Sequence, residues 1–166
     1  FCKMLLWLHE DPSHALVSLF AGNPARIYID ASLIGETQHP QAFMVFPVRL
    51  SPGKHMLGIE AVKRQYPDWV QAGLRTHAGV WGTAPEWRSM TGPVSGWQDV
   101  AFDDSQWPEV GLTVREGPPP APGVATSPHP FVDLQSQPTA VWTSAKWAQG
   151  QQRAVFRHVF NVPTPD

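Results

Sequence analysis

The chain has one cysteine, Cys2, in 166 residues. A single thiol closes no disulfide within the chain, so it is a buried or free thiol or pairs elsewhere, and at the terminus it has no pocket that suits a nucleophile. Charge is scarce as well, at 16% of residues with a formal net charge of -2. There is no basic stripe and no acidic run, so neither nucleic acid nor an anionic membrane surface is the expected partner. No apolar run reaches the ~20 residues that span a bilayer, so membrane insertion is not expected. The opening "FCKMLLWLHEDP" lacks the basic front and small-residue cleavage pattern of a signal peptide, and it starts without Met, as a piece of a larger polypeptide would. Asn23 and Asn161 are followed by no Ser or Thr at the acceptor spacing, which excludes N-glycosylation. G-x-S-x-G, H-E-x-x-H, C-x-x-C and phosphate-cradling glycine loops are all missing, and with them the signatures of an enzyme. No stretch keeps a helical period free of Gly or Pro, and no helix, repeat or heptad is expected.

What the chain does have is 18 Pro, 8 Trp and 42% hydrophobic residues. Its length suits a single domain over residues 1–166 with a real core. Many prolines and few charges fit an all-β domain with rigid surface loops. Alternation of apolar and polar residues predicts strands over 14–22, 25–35, 42–50, 55–63 and 152–163, with a weaker one over 72–81. Pro47 sends its strand toward a sheet edge or a bulge. "SPGK" at 51–54 reads as a tight turn, so 42–62 reads as a β-hairpin. "GPPPAPGVATSPHP" at 117–130 is too rich in proline for regular structure and reads as a long surface excursion.

"GWQDVAFDDSQWPEV", residues 96–110, sets Asp103 and Asp104 between Trp97 and Trp107. A glycosidase needs two carboxyls facing each other across a sugar. Neighbouring residues on an extended chain point to opposite sides. The better reading is structural: Asp and Ser side chains fix the turn through nearby backbone N–H groups, and the two tryptophans pin the segment onto a sheet. Arg157, between Phe156 and His158, calls for a carboxylate partner, with Asp104 the first choice and Asp103 the second.

The other candidates are aromatic or metal-ligating. Trp69 and Trp147 lie in polar contexts and read as exposed platforms for a sugar ring, with Tyr66 beside Trp69 in the sequence. Trp7, Trp87, Trp97, Trp107 and Trp142 lie in core-like patterns. His9 and His14 have neither strand nor helix ligand spacing, so zinc is not expected there. His158, alone on an apolar face, reads as a core histidine.

Four segments together carry a resemblance. "LVSLFAGNPARIYIDASLIGE", "VRLSPGKHMLGIEAVK", "EWRS…GWQDVAFDDSQWPE" and "VWTSAKW…RAVFRHVF" resemble the galactose-binding-like jelly-roll superfamily, the accessory β-sandwich modules of secreted glycosidases and cell-surface proteins. Asp30-Ala31 stands where that family often has Asn-Gly, and His55 where it has Asn. The resemblance implies a jelly-roll β-sandwich of two antiparallel sheets and an extracellular or cell-surface setting. Such domains often carry a structural calcium ion, whose ligands the residues here do not assign, and no cofactor is otherwise expected. The function expected is a non-catalytic carbohydrate-binding or adhesion module whose partners are glycans. The alternatives are a structural module contacting neighbouring protein chains in a larger assembly and, more remotely, an accessory domain of a glycoside hydrolase.

Overall fold

The computed structural model describes residues 2–37, 43–63, 68–113 and 138–166. Tyr66 and the Pro-rich segment 117–130 lie outside the described residues. One helix, α1 (Cys2–Glu10), precedes the strands β1 (His14–Ala21), β2 (Ala25–Ile29), β3 (Ser32–Glu36), β4 (Phe43–Arg49), β5 (Gly53–Val62), β6 (Val70–Thr76), β7 (Gly79–Gly82), β8 (Arg88–Thr91), β9 (Gly111–Leu112), β10 (Val141–Trp142) and β11 (Arg153–Val162). They form two antiparallel sheets, one ordered β4-β1-β6-β10-β9 with β7 also on β6, the other β3-β2-β5-β11-β8. The molecule is an all-β sandwich.

The core lies between the sheets. Ala15, Val17, Leu19 and Ala21 of β1 and Val70, Ala72 and Leu74 of β6 face Ile27, Ile29, Leu57, Ile59, Ala61, Phe156, Phe160 and Val162. Each such Val, Leu, Ile or Phe contributes about 1.5–3 kcal/mol on full burial. The longest pairing is β5 with β11, from Gly53↔Val162 to Val62↔Arg153. Met56, Gly58 and Glu60 of β5 and Val155, Arg157 and Val159 of β11 therefore share the outer face of the second sheet.

The structure corrects three expectations. A helix does form: α1 packs on β1, with Leu8 buried and the Trp7 ring stacked on His14 at 3.7 Å and 7°. The His14 Nδ1–H donates to the Trp7 carbonyl at 2.6 Å. Nine residues with no acidic group in the first turn show little helical signal, and docking on the sheet supplies the stability such a short helix lacks alone. It stops before Asp11-Pro12, because proline disfavours the α conformation in the residue before it.

Second, residues 42–62 are not a hairpin. β4 pairs with β1 from Phe43↔Phe20 to Arg49↔His14, while β5 lies in the other sheet. The Ser51-Pro52 link crosses between sheets, and Gly53 at φ 123 starts β5 in a backbone state only glycine holds easily. In a sandwich both strands put their apolar residues toward the same core, so alternation cannot separate a hairpin from a crossover. His55 closes this corner: its Nδ1 contacts Asp30 Oδ2 at 2.9 Å and its Nε2 contacts the Ser51 carbonyl at 2.8 Å. Third, segments 25–35 and 72–81 each fold back as two strands, turning at Asp30-Ala31 and at His77-Ala78. Asp30 holds a left-handed φ of 51. Pro47 does sit on an edge strand, β4.

Candidate functional site

Two features occupy the outer face of the second sheet. The first is a strap, residues 95–109, built from successive turns. Asp99 N–H donates to the Gly96 carbonyl, Phe102 N–H to Asp99 and Trp107 N–H to Asp104. Asp99 and Asp103 each accept a backbone N–H two residues on, from Ala101 at 2.8 Å and Ser105 at 3.0 Å, which is how short Asp side chains fix a turn. The Ser105 hydroxyl and N–H hold the Asp103 carboxyl below the usual carboxylate range. Beneath the strap Met56, Trp97, Trp107 and Val155 form a second buried cluster. Gly58 belongs to it by absence: a Cβ there would come within 2.5 Å of the Trp97 ring.

Arg157 ties this strap down. Its guanidinium, 1% exposed, donates to Asp104 Oδ2 at 2.5 Å and to the carbonyls of Trp97 at 3.2 Å, Phe102 at 3.1 Å and Asp99 at 2.8 Å. Four acceptors offset the desolvation of a buried cation. Asp103 faces outward to Ser105 and Asp104 inward to Arg157, so the adjacent carboxylates have separate partners rather than a shared proton.

The second feature is a polar trough where the strap stops. Cross-strand register sets Arg26 opposite both Glu36 and Glu60, and Val155 opposite Glu60. Arg26 Nε donates to Glu36 Oε2 at 3.2 Å, which raises the Arg26 guanidinium above its ordinary value. Glu60 Oε1 lies 3.9 Å from Arg26 Nη1 and 3.6 Å from Arg153 Nη1. Two adjoining cavities share Glu60 and Arg153. One of about 160 Å³ extends over Arg26, Glu36 and Thr37. The other, about 370 Å³, extends over Gly92–Ser95, Trp97, Gln98 and Val155. The larger is within the usual range of ligand pockets, roughly 300–1,000 Å³. None of Arg26, Glu36, Glu60 and Arg153 was singled out by sequence. They come from four strands, and no local pattern links them.

The tryptophans do not sort as their sequence contexts suggest. Trp69, expected to be exposed, is fully buried and packs edge-on against Phe20 at 4.8 Å. Its polar neighbours are used in place: Gly22 N–H donates to the Trp69 carbonyl at 3.0 Å, and Asn23 Nδ2 to Asp68 Oδ1 at 2.9 Å. Trp69 therefore offers no platform to a ligand. Trp147 is half-buried, stacked on Trp142 at 6.4 Å, with Lys63 Nζ 4.8 Å from its ring. Trp87, Trp97 and Trp107 are buried, and Trp7 and Trp142 half-buried. His158 stacks on Trp87 at 5.6 Å and 11°, and burial lowers its pKa from the usual imidazole value.

Among the described residues no three His, Cys, Asp or Glu side chains stand close enough to hold a metal ion. His14 is committed to Trp7, while His9 is exposed. No protein-family model matches the chain, and no curated protein and no solved structure matches it.

Proposed function

We propose that this chain is a galactose-binding-like jelly-roll module that binds carbohydrate without catalysis, within a secreted or cell-surface protein. The trough carries this reading. Two carboxylates and two guanidiniums meet there in a recess open to solvent, with Ser95 and Gln98 along its lining. Such groups donate to and accept from hydroxyls, the functional groups a sugar displays in greatest number. Trp147 offers a second, smaller contact through whatever ring surface Trp142 and Lys63 leave open.

The test is a broad glycan panel against the purified protein, with calcium and with chelator. Saturable binding that disappears in Glu60→Ala and persists in Trp147→Ala places the ligand in the trough. The reverse pattern places it on the tryptophan. Loss with chelator adds a metal to the site.

One observation favours a second reading, a structural module in a larger extracellular assembly. Lys3, Trp7, Leu16 and Pro47 line a cleft of about 260 Å³ between α1 and β4, and Leu6 on the same helix is 61% exposed. Exposed apolar surface of this kind marks protein contacts. A folded protein that binds nothing on the panel directs the search to a protein partner at that cleft.

A further inference from the structure

Every charge among the described residues of the trough faces an opposite one within it. Arg26 lies against Glu36 and Glu60, and Arg153 against Glu60. The formal sum is zero. An acidic sugar pairing with Arg153 would set its own carboxylate beside Glu60, and a cationic ligand pairing with Glu60 would sit between two guanidiniums. Like charges so placed disfavour both. A hydroxyl meets no such conflict, because it accepts from a guanidinium and donates to a carboxylate.

The geometry leaves these groups available. The contacts of Glu60 with Arg26 and Arg153, 3.9 and 3.6 Å, are longer than hydrogen bonds, so each group keeps capacity for a ligand. Neighbouring hydroxyls on one ring could bridge them, one accepting from Arg153 and the next donating to Glu60. Both cavities are lined by this pair. Beyond it the smaller is polar, at Arg26, Glu36 and Thr37. The larger adds apolar wall at Pro93 and Val94, suited to the C–H face of a sugar, with Gln98 beside it.

We infer that the trough takes an uncharged, extended saccharide of at least two units, with Glu60 and Arg153 bridging the adjacent positions. The inference rests on the carbohydrate reading above and narrows it to neutral chains. The larger cavity holds one unit against its apolar wall and the smaller holds the next through hydrogen bonds. The ion pairs of the trough reorganise around the ligand without a change in net charge, so salt has little effect on affinity.

Calorimetric titration tests this with neutral glucose, galactose, mannose and xylose oligosaccharides, from mono- to hexasaccharide, beside uronic-acid and sulfated oligosaccharides, each at low and high salt. The expected result is binding of a neutral series that strengthens from mono- to disaccharide and holds at high salt. Glu60→Gln and Arg153→Gln should each weaken it about tenfold or more, as loss of a hydrogen bond to a charged group does. Gln98→Ala, confined to the larger cavity, is a second probe that leaves the ion pairs intact and should also weaken binding. Circular dichroism establishes that each variant is folded. Binding of acidic oligosaccharides alone, weakening with salt, overturns this inference and leaves the carbohydrate reading standing. Equal affinity for mono- and oligosaccharides, or neutral binding that survives all three substitutions, overturns it too. A panel with no binder at all removes both readings.

Discussion

Arg153 and Arg157 lie on the same face of the same strand, four positions apart along β11. Their fates differ completely. The Arg157 side chain is 1% exposed and has four oxygen acceptors, while that of Arg153 is 58% exposed with one carboxylate at 3.6 Å. The strap covers one and stops short of the other. The same side chain is a structural tie where backbone carbonyls converge on it and an exposed, loosely paired charge where solvent does. What separates them is the loop above the sheet, not the strand itself.

Substitutions sharpen or break this contrast. The largest expected effect is Arg157→Ala, which leaves the Asp104 carboxylate and three carbonyls without their donor and should destabilise the protein by about 3–5 kcal/mol in chemical denaturation. Arg157→Lys should recover little of this, since one ammonium cannot reach acceptors arrayed around a planar fork. Trp97→Ala removes one of the two indole rings under the strap and should cost about 3–5 kcal/mol by the same measurement. Gly58→Ala drives a methyl group into that ring and should cost about 1–3 kcal/mol. Arg153→Ala should change stability by no more than about 0–1 kcal/mol, as exposed ion pairs do, with its effect appearing in ligand binding instead. Equal destabilisation by Arg153→Ala and Arg157→Ala would erase the contrast.

The smallest expected effect is a pH dependence from His158. Burial against Trp87 lowers its pKa in the folded state, so the unfolded chain binds more protons as pH falls through the ordinary histidine value, about 6.5. Its contribution is fully present above that pH and declines below it toward the depressed folded value. His158→Phe should flatten stability between neutral and mildly acidic pH. Denaturation midpoints at several pH values check this, and an unchanged slope would remove His158 from the account.

The strands were legible because alternation survives in the sequence. Phe156, His158, Phe160 and Val162 announce one face of β11, and Leu57, Ile59 and Ala61 one face of β5. The strap was legible too, since paired aspartates between tryptophans have few uses besides a pinned turn. Pairing was not legible: nothing local to "RLSPGKH" tells a hairpin from a crossing between sheets. Trp69 misled because its polar neighbour Asp68 bonds to Asn23 rather than marking an exposed loop. α1 was missed because nine residues carry too little periodicity, and its stability comes from β1.

The sequence by itself determined the class of the fold, since alternating residues need two sheets to bury their apolar faces. It also marked the residues of the strap, because aspartate turns and large aromatics act over short distances along the chain. Only the tertiary structure decided which strands are neighbours and which arginine is buried. It also assembled the trough, because Arg26, Glu36, Glu60 and Arg153 meet through register across four strands. Register is a property of strand pairing, and pairing is set by the whole core rather than by any segment.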